Sequence, residues 1–145
     1  MFDVANHIKT PEIDDALERQ EPDLVDKVAS IEVPEKGKRN NYSFATKYCS
    51  WHDQQAYPIW DSRVEEYLVH LCKVGVVQPF KRAKLWRYAE FKSVVSDFRT
   101  SLGLTRFSFK SLDKFMFREG AKVMALHNSR KVDNASSIIE GPTAP

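Results

Sequence analysis

Residues 42–68, YSFATKYCSWHDQQAYPIWDSRVEEYL, decide how this chain folds. A helical pattern runs into an aromatic-rich turn that contains Pro58, and Asp61 then stands at the start of a second amphipathic pattern. Aspartate is among the best residues for accepting hydrogen bonds from the free N–H groups at a helix start. The stretch therefore predicts two helices joined by a turn over residues 53–60, with Asp61 as the cap of the second helix.

Helical spacing of apolar residues continues on both sides of this stretch. Thr10-Pro11 is a favourable helix start and Glu21-Pro22 a favourable helix end, whereas IEVPEKGKRNN (31–41) is predicted to be a loop because of its proline, glycine and asparagines. Gly103 suits the end of a helix. The predicted helices cover about 11–21, 22–30, 43–52, 62–74, 83–101 and 109–125.

The fold class predicted from this pattern is all-α, a compact bundle of five to six helices. The stretch VGVVQPF (74–80) is a β-prone connector interrupted by Pro79. Residues 128–145 lack periodicity and end in GPTAP, which is typical of a disordered tail. Residues 1–127 are therefore predicted to form a single helical domain, followed by a disordered C-terminal tail over 128–145.

Composition excludes several classes of protein. The hydrophobic fraction of 42% and the charged fraction of 29% are those of a globular protein. No apolar run approaches the length of about 18 residues that a membrane span needs, and the acidic N-terminus lacks the layout of a signal peptide. We expect a cytoplasmic protein without membrane contact, in which Cys49 and Cys72 are buried thiols.

Charge is distributed unevenly along the chain. Residues 1–35 contain ten acidic and three basic residues, whereas residues 73–131 contain fourteen basic and four acidic residues. Such a basic block favours contact with a phosphate backbone, although it is also compatible with an ordinary solvated surface or with pairing to the acidic N-terminal segment.

Aromatic residues lie among these bases and next to the turn. We predict nucleic-acid contact, with duplex DNA as the partner, because aromatic faces beside cations can stack on bases. In small bundles, however, tryptophan and tyrosine mostly fill the core. The candidate contact residues are Trp60, Trp86, Lys81, Arg82, Lys84 and Arg87.

The Pro58-Ile59-Trp60-Asp61 turn between two helices resembles the helix-hairpin-helix DNA glycosylase superfamily over about residues 40–72. In that superfamily the matching aspartate stabilises positive charge that develops on the sugar, so the resemblance implies a catalytic role for Asp61. The sequence pattern SFATKYCSWH…YPIWDSRV also resembles that of small uncharacterised bacterial and phage-borne proteins.

The superfamily's lyases carry a nucleophilic lysine eighteen residues before the aspartate, in a glycine-rich hairpin. That spacing lands on Ser43 here, the preceding residues 36–42 read KGKRNNY, and Lys47 is expected to point elsewhere on the helix. A Schiff-base lyase is therefore not expected.

No metal site and no cofactor are predicted. Cys49 and His52 form one pair of soft ligands and His70 and Cys72 another, but residues two apart on a helix face nearly opposite directions.

Three functions agree with these residues. The preferred one is a DNA-binding module of helix-hairpin-helix glycosylase-like fold without catalysis. One alternative is a monofunctional DNA glycosylase that uses Asp61, and the other is a protein-interaction subunit of a phage or defence system whose basic face meets an acidic partner.

Overall fold

The computed structural model of the protein describes residues 11–33 and 37–139, which form six α-helices, a short 3₁₀ helix and a two-stranded hairpin. The all-α class predicted from the sequence is confirmed. The elements are α1 (Pro11–Glu18), α2 (Asp23–Ala29), β1 (Ser30–Val33), β2 (Gly37–Asn40), α3 (Tyr42–His52), α4 (Ser62–Lys73), the 3₁₀ helix Arg82–Trp86, α5 (Tyr88–Ser101) and α6 (Phe109–Ile139).

The hairpin replaces the loop that was predicted for residues 31–41. Strands β1 and β2 are antiparallel, with Ser30 opposite Asn40 and Val33 opposite Gly37. The prediction of a loop was wrong because the alternating β-branched residues Ile31 and Val33 favour a strand, and the turn residues lie only between the two strands.

The single helix predicted over 83–101 is divided in the structure. Arg87 has an extended backbone (φ −114°, ψ 120°) between the 3₁₀ helix and α5. The carbonyl of Leu85, which a continuous helix would pair with a later N–H, instead accepts a hydrogen bond of 3.1 Å from the hydroxyl of Tyr42. A tertiary contact has therefore overridden the local helical pattern.

Helix α6 is longer than predicted. It continues to Ile139, whereas the sequence pattern placed its end at about 125, so the helix overlaps residues 128–139 of the tail predicted over 128–145. Residues 140–145 lie outside the described residues. The connector 74–80 contains no strand, and Gly103 ends α5 with a φ of +65°, as predicted.

The most extensive packing is that of α4 along α6. Tyr57, Tyr88, Phe91, Phe98 and Leu68 are fully buried, so the core joins the 53–60 turn to α4 and α5. No helix among the described residues is long and apolar enough to span a bilayer.

Candidate functional site

The turn that precedes α4 is held by side chains from helices that are distant in sequence. The hydroxyl of Tyr88 donates a hydrogen bond of 2.9 Å to the carbonyl of Pro58. The hydroxyl of Thr46 donates to the carbonyl of Trp60 at 3.3 Å and lies 3.2 Å from its backbone N–H. Buried polar groups with such partners fix the backbone, and the position of Asp61 is fixed with it.

Asp61 is the N-cap of α4, as predicted. Its Oδ1 accepts hydrogen bonds from the backbone N–H groups of Arg63 and Val64, each at 2.9 Å. The second carboxylate oxygen is therefore the one left for a further partner.

Asp113 on α6 holds the same turn from the other side. Both of its carboxylate oxygens lie 3.2 Å from the backbone nitrogen of Ile59, which donates to them. The side chain is only 5% exposed. A buried carboxylate that accepts one shared N–H is incompletely satisfied, because it has several lone-pair positions available.

The two carboxylates open into one cavity of about 370 Å³, which we call the lysine cavity. Its walls come from α3, from the turn and start of α4, and from one face of α6. The residues that line it are Lys47, Ile59, Asp61, Val64, Lys110, Asp113, Lys114 and Phe117.

Burial raises the pKa of the Asp113 carboxyl from its ordinary 3.8 to about 7. The N–H of Ile59 and the positive charge of Lys110 act in the opposite direction, while the charge of Asp61 adds to the rise. Near neutral pH the cavity therefore contains one carboxyl that gains or loses a proton readily.

This raised pKa makes stability depend on pH. Because the folded protein holds the proton of Asp113 more tightly than the unfolded chain does, the free energy of unfolding falls as the pH rises from about 4 to about 7, and the contribution is level above that. Between about pH 5 and pH 7 the loss is about 2 kcal/mol, since one pKa unit corresponds to about 1.4 kcal/mol and the carboxyl is half ionised at pH 7. Asp113→Asn keeps an acceptor for Ile59 and removes the ionisation. Urea denaturation of both proteins at about pH 5 and pH 8 measures the difference, and equal pH dependence would contradict the role of Asp113.

Lys47 faces the lysine cavity, contrary to the expectation that it points elsewhere. Its neighbour Thr46 contacts the backbone of Trp60, so the adjacent position on α3 borders the same turn. Ser43, which occupies the position expected for the lyase lysine, does not line this cavity.

Arg82, a predicted nucleic-acid contact, is engaged within the protein. Its guanidinium forms ion pairs with Glu65 and Glu66 on α4. Glu65 is buried, so releasing Arg82 would leave an uncompensated charge in the protein. This arginine therefore has a structural role in linking the 3₁₀ helix to α4.

The neighbouring bases are partly paired as well. Lys84 and Arg87 both lie 3.3 Å from Glu90, at different carboxylate oxygens. Lys81 is exposed and forms no ion pair among the residues that the structure describes. These are surface interactions, which a competing phosphate could replace at little cost.

The two predicted tryptophans lie together but differ in exposure. Trp60 is 6% exposed, and its indole N–H has no hydrogen-bond partner within the described part of the chain. Trp86 is 49% exposed, with its ring centroid 4.4 Å from that of Trp60, and both rings contact Tyr42. Of the two, Trp86 is the ring that faces solvent.

The cysteines and histidines that the structure describes do not assemble a site. Cys49 and Cys72 are free thiols, and burial raises the pKa of Cys49 to about 12. Within residues 11–33 and 37–139, no cluster of three or more His, Cys, Asp or Glu residues could hold a metal ion.

Comparison with known proteins gives two matches. Residues 1–56 match a family model, HI_0787_N, which is described as an N-terminal domain. An uncharacterized protein of Haemophilus influenzae is 38% identical over 121 residues, which cover 83% of this chain and 57% of that protein. The chain therefore spans little more than half of the length of this relative. No solved structure matches the chain. The family match includes α1 to α3 and Lys47 but ends before Asp61.

Proposed function

We propose that the protein binds duplex DNA and that the lysine cavity receives one nucleotide displaced from the helix. The observation that supports this most directly is the position of Lys47, Lys110 and Lys114 around a single cavity. None of the three forms an ion pair among the residues that the structure describes, so their charges are available to phosphate groups.

The shape and chemistry of the cavity agree with a nucleotide. Its volume of about 370 Å³ lies at the lower end of the range for small-ligand pockets. Phe117 and Ile59 supply an apolar wall beside which a base could lie, while Asp61 and Asp113 supply acceptors for the amino groups of a base. Arg63 lies over the ring of Phe117 at 4.3 Å and adds a further cation near the opening.

The resemblance of the Pro58–Asp61 turn to helix-hairpin-helix glycosylases supports the same ligand class, since proteins of that superfamily act on DNA. The preferred function is binding without catalysis, in the cytoplasm, where thiols such as Cys49 and Cys72 remain reduced. The lysines that contact phosphate groups are then expected to be those of the lysine cavity. Lys81 and Trp86 are expected to contact the DNA at the periphery of the interface.

The test uses a duplex that contains 2-aminopurine, a base whose fluorescence increases when it leaves the stack. We expect duplex binding by anisotropy, accompanied by a severalfold increase in emission. Lys114→Trp and Lys114→Gln both remove the charge, but only tryptophan also fills the cavity. At saturating protein the emission should therefore increase with Lys114→Gln and not with Lys114→Trp.

Binding without any change in emission would contradict entry of a nucleotide into the cavity and leave DNA binding intact. Absence of binding at low salt would contradict both parts of the proposal.

A second candidate is a monofunctional glycosylase. The observation in its favour is that Asp61, with a free carboxylate oxygen, shares the lysine cavity with a carboxyl whose pKa is near 7. Asp61 could stabilise an oxocarbenium-like centre while Asp113 transfers a proton.

Duplexes with oxidised, alkylated and deaminated bases distinguish the two candidates. We expect no base release from any of them. Base release that falls at least about a hundredfold in Asp61→Asn would favour the enzyme, because an electrostatic group in contact with the reacting atoms acts on that scale. Strand cleavage that Lys47→Gln abolishes would identify a lyase instead, since Lys47 is the amine of α3 that lines this cavity.

A further inference from the structure

A second cavity, of about 360 Å³, lies where α5 connects to α6. We call it the apolar cavity. Its walls are Leu104, Phe107, Leu112 and Phe115, and Ser111 is the one polar residue that lines it. Phe107 and Phe115 remain 38% and 37% exposed, so large apolar surface faces solvent here. A concave apolar surface of this kind is the usual receptor for an anchoring side chain.

Helix α6 separates the apolar cavity from the lysine cavity. Lys110, Lys114 and Phe117 face the lysine cavity, whereas Ser111 and Phe115 face the apolar one. The two surfaces can therefore be occupied independently, and a ligand at one need not resemble a ligand at the other.

Arginines lie beside two of the rings that line the apolar cavity, Phe107 and Phe115. The guanidinium of Arg106, in the connection, lies 4.8 Å from the ring centroid of Phe107, and that of Arg118, on α6, lies 5.9 Å from that of Phe115. Arg118 also pairs with Glu119, but this one carboxylate is shared with Lys122. Positive charge thus remains beside both of these rings.

The charged residues of the segment that forms this surface are almost all basic. Residues 99–118 contain five basic residues and one acidic residue, Asp113, which is buried and faces the lysine cavity. Glu119, the next residue, already pairs with Arg118 and Lys122, so positive charge predominates at the surface that an occupant of the apolar cavity meets. Charge complementarity favours an occupant with acidic flanks.

We infer that the apolar cavity docks an acidic segment of a partner protein, which inserts one large apolar side chain between Arg106 and Arg118. A nucleic acid fits this place poorly, because Ser111 is the one hydrogen-bonding side chain in the lining and the bases of a nucleic acid would remain unsatisfied. A small amphipathic anion also fits this place poorly, because it carries its charge at one end, whereas Arg106 and Arg118 come from separate elements. Carboxylates on either side of an apolar anchor match that arrangement.

The experiment measures binding of a fluorescein-labelled peptide in which a single tryptophan is flanked by glutamates. Two control peptides carry alanine in place of the tryptophan, or lysines in place of the glutamates. The protein variants are Arg106→Glu, Arg118→Glu and Phe107→Ala, each checked for wild-type helicity. Arg130→Glu, an exposed change farther along the same helix, is the matched control for reversal of charge.

We expect the tryptophan peptide to bind at least about tenfold more tightly than either control peptide. Each of the three cavity variants should lower the affinity for the tryptophan peptide by at least about tenfold, which corresponds to the loss of one anchor or one complementary charge. Arg130→Glu should bind it as the wild type does.

Equal binding of the alanine peptide, or equal binding by the cavity variants, would overturn the inference. Self-association of the wild type that Phe107→Ala abolishes would also overturn it, since the occupant would then be a second copy of the chain. Failure of this experiment leaves the proposal for DNA unaffected, because the lysine cavity contains none of the altered residues.

Discussion

Gly120→Ala should destabilise the protein by about 2–4 kcal/mol, although alanine is normally the better helix former by about 1 kcal/mol. A Cβ atom at Gly120 would lie 2.0 Å from the carbonyl oxygen of Arg63 and 2.6 Å from its carbonyl carbon. These are backbone atoms of α4, which cannot move aside as a flexible side chain could. The helices α4 and α6 would have to separate, and Asp61 would then move away from Asp113.

Urea denaturation of Gly120→Ala and Gly75→Ala measures this effect against a control. Gly75 has a φ of +74° with nothing within 4 Å of an added Cβ, so its substitution costs only the backbone strain of about 1–2 kcal/mol. Gly120→Ala should be the less stable of the two and should also bind DNA more weakly. A Gly120→Ala protein as stable as the wild type would show that α4 and α6 do not cross as closely as described.

The combination Lys110→Glu and Lys114→Glu should weaken duplex binding by at least about a hundredfold near 0.1 M salt. Each lost phosphate contact is worth about a factor of ten under these conditions, and the reversed charges add repulsion. Lys114 is exposed and Lys110 half-buried, and neither forms an ion pair among the described residues, so the free energy of unfolding should change little. Anisotropy gives the affinity, and an unfolding curve for each variant separates lost binding from lost structure. Wild-type affinity in this variant would rule out the lysine cavity as the DNA site.

Local sequence signals were sufficient for the elements around the turn. The start of α4 could be predicted because the capping residue Asp61, the preceding proline and the following apolar stripe are all close in sequence. The break at Arg87 was not predictable in this way, because it depends on a hydrogen bond between Tyr42 and Leu85, which lie 43 positions apart. Long-range contacts of this kind leave no periodic pattern in either segment.

Helix α3 shows that residues at helical spacing need not be buried equally. The spacing of Phe44, Ala45, Tyr48 and Trp51 predicts one apolar face, yet Ala45 is fully buried whereas Trp51 is 84% exposed. Apart from Tyr42 in the first turn, the buried residues of α3 are small, because close packing against α2 leaves little room for large rings; they are Ala45, Thr46, Cys49 and Ser50. Size, and not only hydrophobicity, determined which face was buried.

The lysine cavity was not predicted from the sequence, except for Asp61. Asp113 accepts a hydrogen bond from a backbone N–H 54 residues away. Lys110 and Lys114 line the cavity only because α6 packs beside the turn. One signal was present nonetheless. Asp113 lies between the inward-facing Leu112 and Met116 on α6, and a carboxylate on the buried side of a helix usually has a specific partner.

The most direct test of DNA binding at the lysine cavity compares two triple variants over a range of salt concentrations. One carries Lys47→Gln, Lys110→Gln and Lys114→Gln, and the other carries Lys81→Gln, Lys84→Gln and Arg87→Gln in the region that sequence alone favoured. Each phosphate contact contributes about one unit to the slope of log affinity against log salt. We predict that the first variant loses about three units of slope and the second less than about one. A larger loss of slope in the second variant, with wild-type behaviour in the first, would contradict DNA binding at the lysine cavity.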